Sequence, residues 1–434
     1  MLIHSSQAMQ PERIVIIGNG PGGNAAAAAI RQRDSSVQVS ILSEEPFPFY
    51  SPCFIHEYLS GEIDRSKLFV KQKEDYERQG IDALLGQTVL EIDFERKVIR
   101  HKEGEKTYSA LILATGGRPI WPRMPGNQLP GVFTLKTMSH GDAILKYVDA
   151  RKPRAACVVG AGPIGIEAAD SLRSLGIEVY LVEKEKTIAA RLFNRKMSGK
   201  IQQLLEARKL NVMAGTELIE ISGTDRVQAV HLSDGSKLDC EMVLLAIGMR
   251  PNIEIATKSG MEAGKRGGIP VDAGMRTRID DVYACGDCCE IFDPFMGDNR
   301  ICALWPNAVL GGKTAGLNCL GVSRPMPPPM EFNRINIHDL DAVSLGYSEE
   351  TLNKIPNINM DVIEGSAHGA DYSLILADGR LVGAQILGNN PMPMILSLIY
   401  KKEKLAYLKN TGSISQFSLL NPLSYSLAWR WPNF

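Results

Sequence analysis

The chain has 434 residues, which at about 150 per domain is room for roughly three domains. Its 48 Lys and Arg against 49 Asp and Glu leave a formal charge of −1, so there is no basic excess to neutralise a phosphate backbone, and nucleic-acid binding is not expected. Hydrophobic residues at 44% and charged residues at 22% exclude a largely disordered chain, and no run approaches the roughly 18 apolar residues of a membrane span, so no membrane insertion is expected.

The first segment, Met1–Arg13, is polar and lacks the apolar core of a signal peptide, which makes the cytoplasm the expected location. Arg13–Ile17 is an apolar, β-branched run that stops at a glycine and reads as a strand buried on both faces of a parallel sheet. Gly18-Asn19-Gly20-Pro21-Gly22-Gly23 follows, opening an Ala-rich helix over Asn24–Arg31, and Val37–Leu42 reads as a second strand ending at Ser43-Glu44-Glu45. The pattern then recurs. Ala155–Val159 runs into Gly160-Ala161-Gly162-Pro163-Ile164-Gly165, a helix over Ile166–Leu175 and a strand over Glu178–Val182 ending at Glu183. The interval from first glycine to acid is 26 residues in the first copy (Gly18 to Glu44) and 23 in the second (Gly160 to Glu183).

Each glycine in such a turn has a physical task. The first makes the tight bend, the second lets backbone approach a pyrophosphate, and the third lets helix pack on strand with its N-terminus aimed at the phosphates. Further on, the proline-rich Ser323–Met330 reads as a domain boundary. Beyond it the alternating runs Asn333–Ile337, Ala342–Leu345, Tyr372–Leu376 and Leu381–Leu387 predict a β-rich domain, followed by a helix over Met392–Lys404 and an aromatic tail over Tyr425–Phe434.

With two dinucleotide fingerprints in one chain, the sequence resembles the two-dinucleotide-binding-domain flavoproteins, the pyridine nucleotide-disulfide oxidoreductase family, over Arg13 to Leu387. Leu111-Ile112-Leu113-Ala114-Thr115-Gly116 and Leu245-Ala246-Ile247-Gly248-Met249-Arg250-Pro251-Asn252 match the segments by which that family's two domains hand the chain on, and Thr277–Asp287 matches its second FAD motif. The resemblance implies an α/β fold with two Rossmann-like domains and a C-terminal α+β interface domain. The FAD domain would be discontinuous, residues 10–121 and 249–322, around an NAD domain at 122–248, with the interface domain at 323–434. For FAD it implies Gly18, Gly20, Pro21, Gly22, Gly23, Glu44, Thr115, Gly116, Gly286 and Asp287, with Glu45 competing for the ribose and Asp287 on the ribityl chain. For NAD(H) it implies Gly160, Gly162, Ile164, Gly165, Glu183 and Gly248. A carboxylate at Glu183 suits a free ribose 2′-hydroxyl and would repel a 2′-phosphate, although Lys184 and Lys186 lie close in sequence. Glu167 falls where relatives place a glutamate near nicotinamide and flavin; its alternative is a first-turn glutamate stabilised by the helix dipole. Trp305, on the helix after Asp287, is expected near the flavin or in the core.

Two routes for the electrons remain open. The CxxxxC pair of the disulfide-reductase branch is absent. Ser51-Pro52-Cys53-Phe54-Ile55-His56-Glu57-Tyr58-Leu59 can be laid on the single-cysteine pattern of NADH oxidases, NADH peroxidases and CoA-disulfide reductases, which makes Cys53 a candidate catalytic thiol, its pKa lowered by a helix N-terminus. Phe54 stands where that branch has glycine, and Pro21 where its oxidases carry histidine. The flanking Pro46–Gly61 also resembles the rubredoxin-reductase, nitrite-reductase and multisubunit-dehydrogenase branch, in which Cys53 would be a buried, inert thiol. His56, one helical turn on, tunes that thiol or packs. Of the eight cysteines, Cys285, Cys288 and Cys289 straddle the FAD motif, and no second cluster completes a zinc or iron–sulfur site, so no metal is expected. The expected activity is hydride exchange between NAD(H) and FAD with electrons passed to a redox-protein or iron–sulfur subunit partner, the alternative being a stand-alone thiol enzyme built on Cys53. A third reading, a non-catalytic flavin-bound redox sensor, is disfavoured by the intact pair of nucleotide motifs. The interface domain implies a homodimer or a subunit contact.

Overall fold

A computed structural model of the chain describes residues 12–388 apart from 302, 330, 339 and 368, together with residue 399. The expected helix over Met392–Lys404, apart from that one residue, and the aromatic tail lie outside the described residues. The chain forms two compact units, one from the described residues of Met1–Cys53, Asp64–Arg118 and Met249–Pro329, the other from those of Phe54–Ile63, Pro119–Gly248 and Met330–Phe434.

In the first unit a five-stranded parallel sheet runs in the order Val282–Ala284, Ala110–Leu113, Arg13–Ile17, Gln38–Ser43, Ile81–Leu85. Strands Ala110–Leu113 and Val282–Ala284 are buried at every position, as a sheet covered on both faces requires. From Arg13–Ile17 the chain winds outward to Gln38–Ser43 and Ile81–Leu85. It then makes an antiparallel meander (Val89–Asp93, Val98–His101, Gly104–Thr107) and returns to the other side of the first strand. This reversal of winding beside the first strand is where open α/β sheets leave a crevice for ligands. Helix Pro21–Arg33 packs against helix Trp305–Asn318 closely enough that a Cβ on Gly312 would stand 2.1 Å from the Gly22 carbonyl oxygen, so only glycine fits there.

The second unit repeats the plan in the order Asn211–Ala214, Glu178–Glu183, Ala155–Val159, Met242–Leu245, Val132–Thr134, again all parallel. It has its own meander, Leu218–Ser222, Ala229–Leu232 and Lys237–Asp239. Both glycine helices begin three residues earlier than their apolar pattern suggests, at Pro21 and Pro163. Proline is favoured at a first helical position because its fixed φ suits the helix and the N–H it lacks would have no helical partner there.

The C-terminal part forms an antiparallel sheet in the order Phe332–Ile337, Leu340–Gly346, Arg380–Gly388, Ala370–Ala377, Met360–Ala367. The edge strand Met360–Ala367 escapes the sequence pattern because it alternates only between half-buried and exposed positions, and its half-buried face mixes Asp361, Ile363 and Gly365. This sheet groups with the inserted Rossmann-like domain: Asn194 N–H donates to Gln385 Oε1 at 2.8 Å and Lys200 pairs with Asp371 at 2.6 Å. The segment 54–63 groups there as well. Its helix, Ile55–Ser60, sets Ile55 and Tyr58 against Gly141, and Tyr58 OH donates to Asp142 Oδ1 at 2.9 Å.

Candidate functional site

The two glycine loops are near copies in atomic detail. Gly18 N–H donates to Leu42 O and Gly160 N–H to Val182 O, each at 2.8 Å, so each loop is tied to the strand that follows it. Gly18 and Gly160 have φ of +116° and +98°, and a Cβ would lie 2.0 Å from Ala114 O in one and 2.5 Å from Ala246 O in the other. The third glycines, Gly23 and Gly165, would drive a Cβ to 2.1 and 1.8 Å from the carbonyl oxygens of Gly18 and Gly160. The middle glycines differ: at Gly20 and Gly162 no protein atom lies within 4 Å of where a Cβ would stand. Each is also the N-cap of its helix, makes no side-chain cap and has no acidic residue in the turn that follows. Two helix N-termini therefore present uncapped N–H groups to open space, the arrangement that seats an anionic phosphate.

Around the first loop, Pro21 starts the helix and Gly22 lies against the buried Cys285 and helix Trp305–Asn318. Asn24 Nδ2 donates to Asn19 O at 2.8 Å and to Gly20 O at 3.1 Å, while Tyr76 OH donates to Asn19 Oδ1 at 2.8 Å. Asn24 and Tyr76 thus fix the loop's shape, and sequence reading misses Tyr76 because it arrives from a distant helix. At the strand end Glu44 is exposed, whereas Glu45 is half-buried, accepts the Tyr50 hydroxyl at 2.9 Å and has its pKa raised by burial. Glu45 is thereby engaged within the protein, which leaves Glu44 as the better-placed acid for a ribose.

Gly116 and Gly286 have φ of +68° and +78°, bends that favour glycine. Thr115 Oγ1 donates to Asn252 O at 2.5 Å and Asn252 Nδ2 returns a bond to Thr115 O at 3.1 Å, pinning the two crossing segments of the chain together. The Thr115 hydroxyl therefore has a role in the fold. Asp287 is half-buried in the short turn Gly286–Cys288. Cys285, Cys288 and Cys289 are buried, and burial raises the pKa of the first two. No cluster fit for a metal occurs among the described residues. Trp305 stacks on Phe49, ring centres 5.6 Å apart.

Around the second loop, Glu183 Oε2 accepts the Ala161 N–H at 2.7 Å and Oε1 accepts the Glu185 N–H at 2.9 Å, so its carboxylate is held at the lip of the glycine turn. Ile164 and Ile247 are 51% and 38% exposed, and Gly248 bends with φ of +116° beside them in sequence. Glu167 is not a first-turn residue. With the helix starting at Pro163 it is the fifth position, beyond the reach of the terminal dipole, so the dipole alternative is set aside. Its carboxyl is 11% exposed and lies 3.6 Å from His56 Nδ1. Burial, with Glu57 adding to it, pushes its pKa up to about 8, against the Asn336 backbone and Arg334, which pull it down.

Cys53 differs from the buried-thiol alternative: it is exposed. It sits in a single 3-10 turn, Pro52–Phe54, ahead of the six-residue helix Ile55–Ser60, rather than on the N-terminal turn of that helix. His56 is turned to Glu167.

The residues present fit two dinucleotides, one per unit: each loop combines an open middle glycine, an uncapped helix N-terminus and an acid at the end of the next strand. A family profile described as pyridine nucleotide-disulphide oxidoreductase matches residues 12–312. The chain is 34% identical over 393 residues to a protein named NADH oxidase from Methanocaldococcus jannaschii, covering 87% of each chain. It is 30% identical over 284 residues to an assimilatory nitrate reductase electron transfer subunit of Bacillus subtilis, covering 65% of this chain and 36% of that one. Among solved structures, an NAD-dependent persulfide reductase from A. fulgidus superposes with a TM-score of 0.85 at 26% identity, covering 92% of this chain and 78% of that one.

Proposed function

Because the chain belongs to the pyridine nucleotide-disulphide oxidoreductases, whose cofactors are FAD and NAD(P)H, we propose that it exchanges a hydride between NAD(H) and FAD and passes electrons to a redox-protein partner, as the flavoprotein subunit of a larger dehydrogenase. The observation that carries this reading is the pair of matched glycine loops, each with an open middle position at an uncapped helix N-terminus. When bound, the flavin supplies the chemistry that joins a two-electron hydride to single-electron carriers. The chain's own residues bind and orient. N–H groups after Gly20 and Gly162 hold the pyrophosphates, Glu44 and Glu183 hold the adenosine riboses, and Asp287 holds the ribityl chain. Glu183, fixed by two backbone N–H groups, keeps a carboxylate where a 2′-phosphate would lie and so favours NADH over NADPH. The relative named as an electron transfer subunit favours delivery to a protein acceptor. The cytoplasm is the proposed location, with the C-terminal sheet domain as the subunit contact.

A second reading rests on the exposure of Cys53 and on the relatives named NADH oxidase and persulfide reductase. In it, the Cys53 thiolate attacks peroxide, oxygen-derived species or a sulfur–sulfur bond and is returned to the thiol at the expense of NADH. One experiment separates the two. Wild type and Cys53→Ser are titrated with NADH under anaerobic conditions, then turned over with a one-electron dye and with peroxide or a CoA disulfide. The first reading expects full flavin bleaching and dye reduction in both proteins. Loss of dye reduction in Cys53→Ser, or peroxide turnover confined to wild type, transfers the case to the thiol enzyme. Failure of NADH to bleach the flavin in either protein overturns both.

A further inference from the structure

The imidazole of His56 has no part in either reading, yet it faces the Glu167 carboxyl, Nδ1 to Oε2, at 3.6 Å, with the two side chains only 18% and 11% exposed. They belong to helices Ile55–Ser60 and Pro163–Ser174, which Ser171 ties together: its hydroxyl lies 2.8 Å from the carbonyl oxygens of both His56 and Glu167. The same helix Pro163–Ser174 opens at the Gly162 position that seats the NAD(H) pyrophosphate in the reading above. We infer that His56 and Glu167 hold one proton in common, and that this proton keeps the phosphate-seating half of helix Pro163–Ser174 free of net negative charge, so that dinucleotide binding is linked to its presence.

The charge count is simple. With the proton on Glu167 Oε2 and a neutral imidazole, or on His56 Nδ1 facing a carboxylate, the pair has net charge zero; with the proton lost to solvent it has −1. Groups this close titrate as a pair and not one by one. Burial is the main force that retains the proton on the carboxyl, which reaches a pKa of about 8. The charged groups facing it are Glu57, which helps to retain the proton, and Arg334 of strand Phe332–Ile337, which opposes it. Glu57 also lies 4.0 Å from His56 Nε2. Farther along the Glu167 helix, Asp170 is paired with Arg208 at 2.8 Å and lies 3.6 Å from His338, which in turn is 4.0 Å from Glu62. The five residues from Gly162 to Glu167 span about 7.5 Å of helix axis, which is within a Debye length of about 8–10 Å at physiological salt. An unneutralised carboxylate there opposes the nucleotide's phosphates.

The inference rests on the NAD(H) reading, and the test keeps the two apart. NAD+ binding to the oxidised, flavin-loaded protein is measured by calorimetry from pH 6.5 to 9.2. Wild type is expected to bind about fivefold more weakly at pH 9 than at pH 7, below the limit of about tenfold per pH unit that loss of one proton allows. Glu167→Gln should be flat within about twofold across that range, Glu167→Asp should retain the rise, and His56→Gln should move its onset. Independently, the 15N imidazole signal of His56, one of seven histidines and assigned by its loss in His56→Gln, is followed with pH. Its midpoint should fall by about one unit or more in Glu167→Gln, as expected when a facing carboxylate is removed. The same rise in Glu167→Gln as in wild type, or an unmoved His56 midpoint, overturns the inference. If Glu167→Gln fails to retain flavin, an unmoved onset in His56→Gln overturns it instead. If wild type binds no NAD+ at any pH, the NAD(H) reading falls, and with it the linkage to binding; the His56 midpoint then decides only whether the proton is shared.

Discussion

The glycines of the second loop divide by what surrounds them, and that division predicts opposite outcomes for the same chemical change. At Gly162 a Cβ meets no protein atom within 4 Å, and the backbone, at φ −80° and ψ −177°, is one any residue adopts. Gly162→Ala should therefore cost only the poorer N-cap, about 1 kcal/mol, or a few degrees in Tm. The added methyl does occupy the space in which a pyrophosphate approaches the helix N-terminus. Loss of one charge-assisted hydrogen bond there, at about 1.5–3 kcal/mol, should weaken NAD+ binding by about 10- to 150-fold. At Gly165 the same methyl would stand 1.8 Å from the Gly160 carbonyl oxygen, a backbone atom that cannot swing aside. Gly165→Ala should destabilise the fold by about 3 kcal/mol or more, with nucleotide binding lost as a consequence of unfolding. Thermal melts and NAD+ calorimetry on both variants are the assay. Gly162→Ala binding NAD+ within twofold of wild type would refute the placement of a pyrophosphate over this helix. Gly165→Ala melting with wild-type Tm would refute the loop geometry itself. The first loop supplies the parallel pair, Gly20→Ala and Gly23→Ala, with retained flavin as the readout.

Glu183→Arg should lower kcat/KM for NADH by about tenfold and raise it for NADPH, since a cation replaces the carboxylate beside the 2′ position; an unchanged NADH to NADPH ratio would place the ribose elsewhere. Glu254 is held at about 2 by its hydrogen-bonded ion pair with Arg118, below the ordinary carboxylate value, so the pair's contribution is present above about pH 4.5 and is lost as pH falls toward 2. Both side chains are more than a third exposed, so the Tm deficit of Glu254→Gln should correspond to about 1 kcal/mol or less at pH 7 and should shrink by pH 3. Lys71, buried beside the Tyr76 ring and bonded to Gln79 at 2.9 Å, has its pKa lowered to about 8 by burial. The unfolded chain then holds the proton more tightly than the folded one, so this group adds stability as pH rises from about 8 to 10.5, at most about 3 kcal/mol. Lys71→Met should flatten that part of the Tm profile, and an unchanged slope would count against a buried amine.

How far the sequence reveals the site depends on whether the constraint is local. The glycine loops are legible because each task belongs to one residue and its immediate neighbours: a bend at Gly160, an approach at Gly162, a contact at Gly165. The charge that ends the second strand, Glu183, is legible because a strand–helix–strand unit returns its second strand beside the first, and that parallel pairing brings the carboxylate to the Ala161 N–H. For Glu167 the sequence leaves two environments open, beside nicotinamide and flavin or in a first helical turn. Apolar pattern starts its helix at Ile166, which makes a first-turn acid steadied by the dipole; the helix starts at Pro163, and elements far off in the chain, Ile55–Ser60 and Phe332–Ile337, face the carboxyl. The same distance in sequence hid the direction in which His56 turns, and hid Tyr76 as the side chain that shapes the first loop. Unit membership is set by the same physics. A break such as Ser323–Met330 marks where chain leaves one unit, but which unit a following segment joins is set by contacts like Asn194 with Gln385. The legible features are those that one residue's own backbone sets; the hidden ones are those whose protonation or orientation is imposed by a second, distant segment, as helix Ile55–Ser60 and strand Phe332–Ile337 do at Glu167.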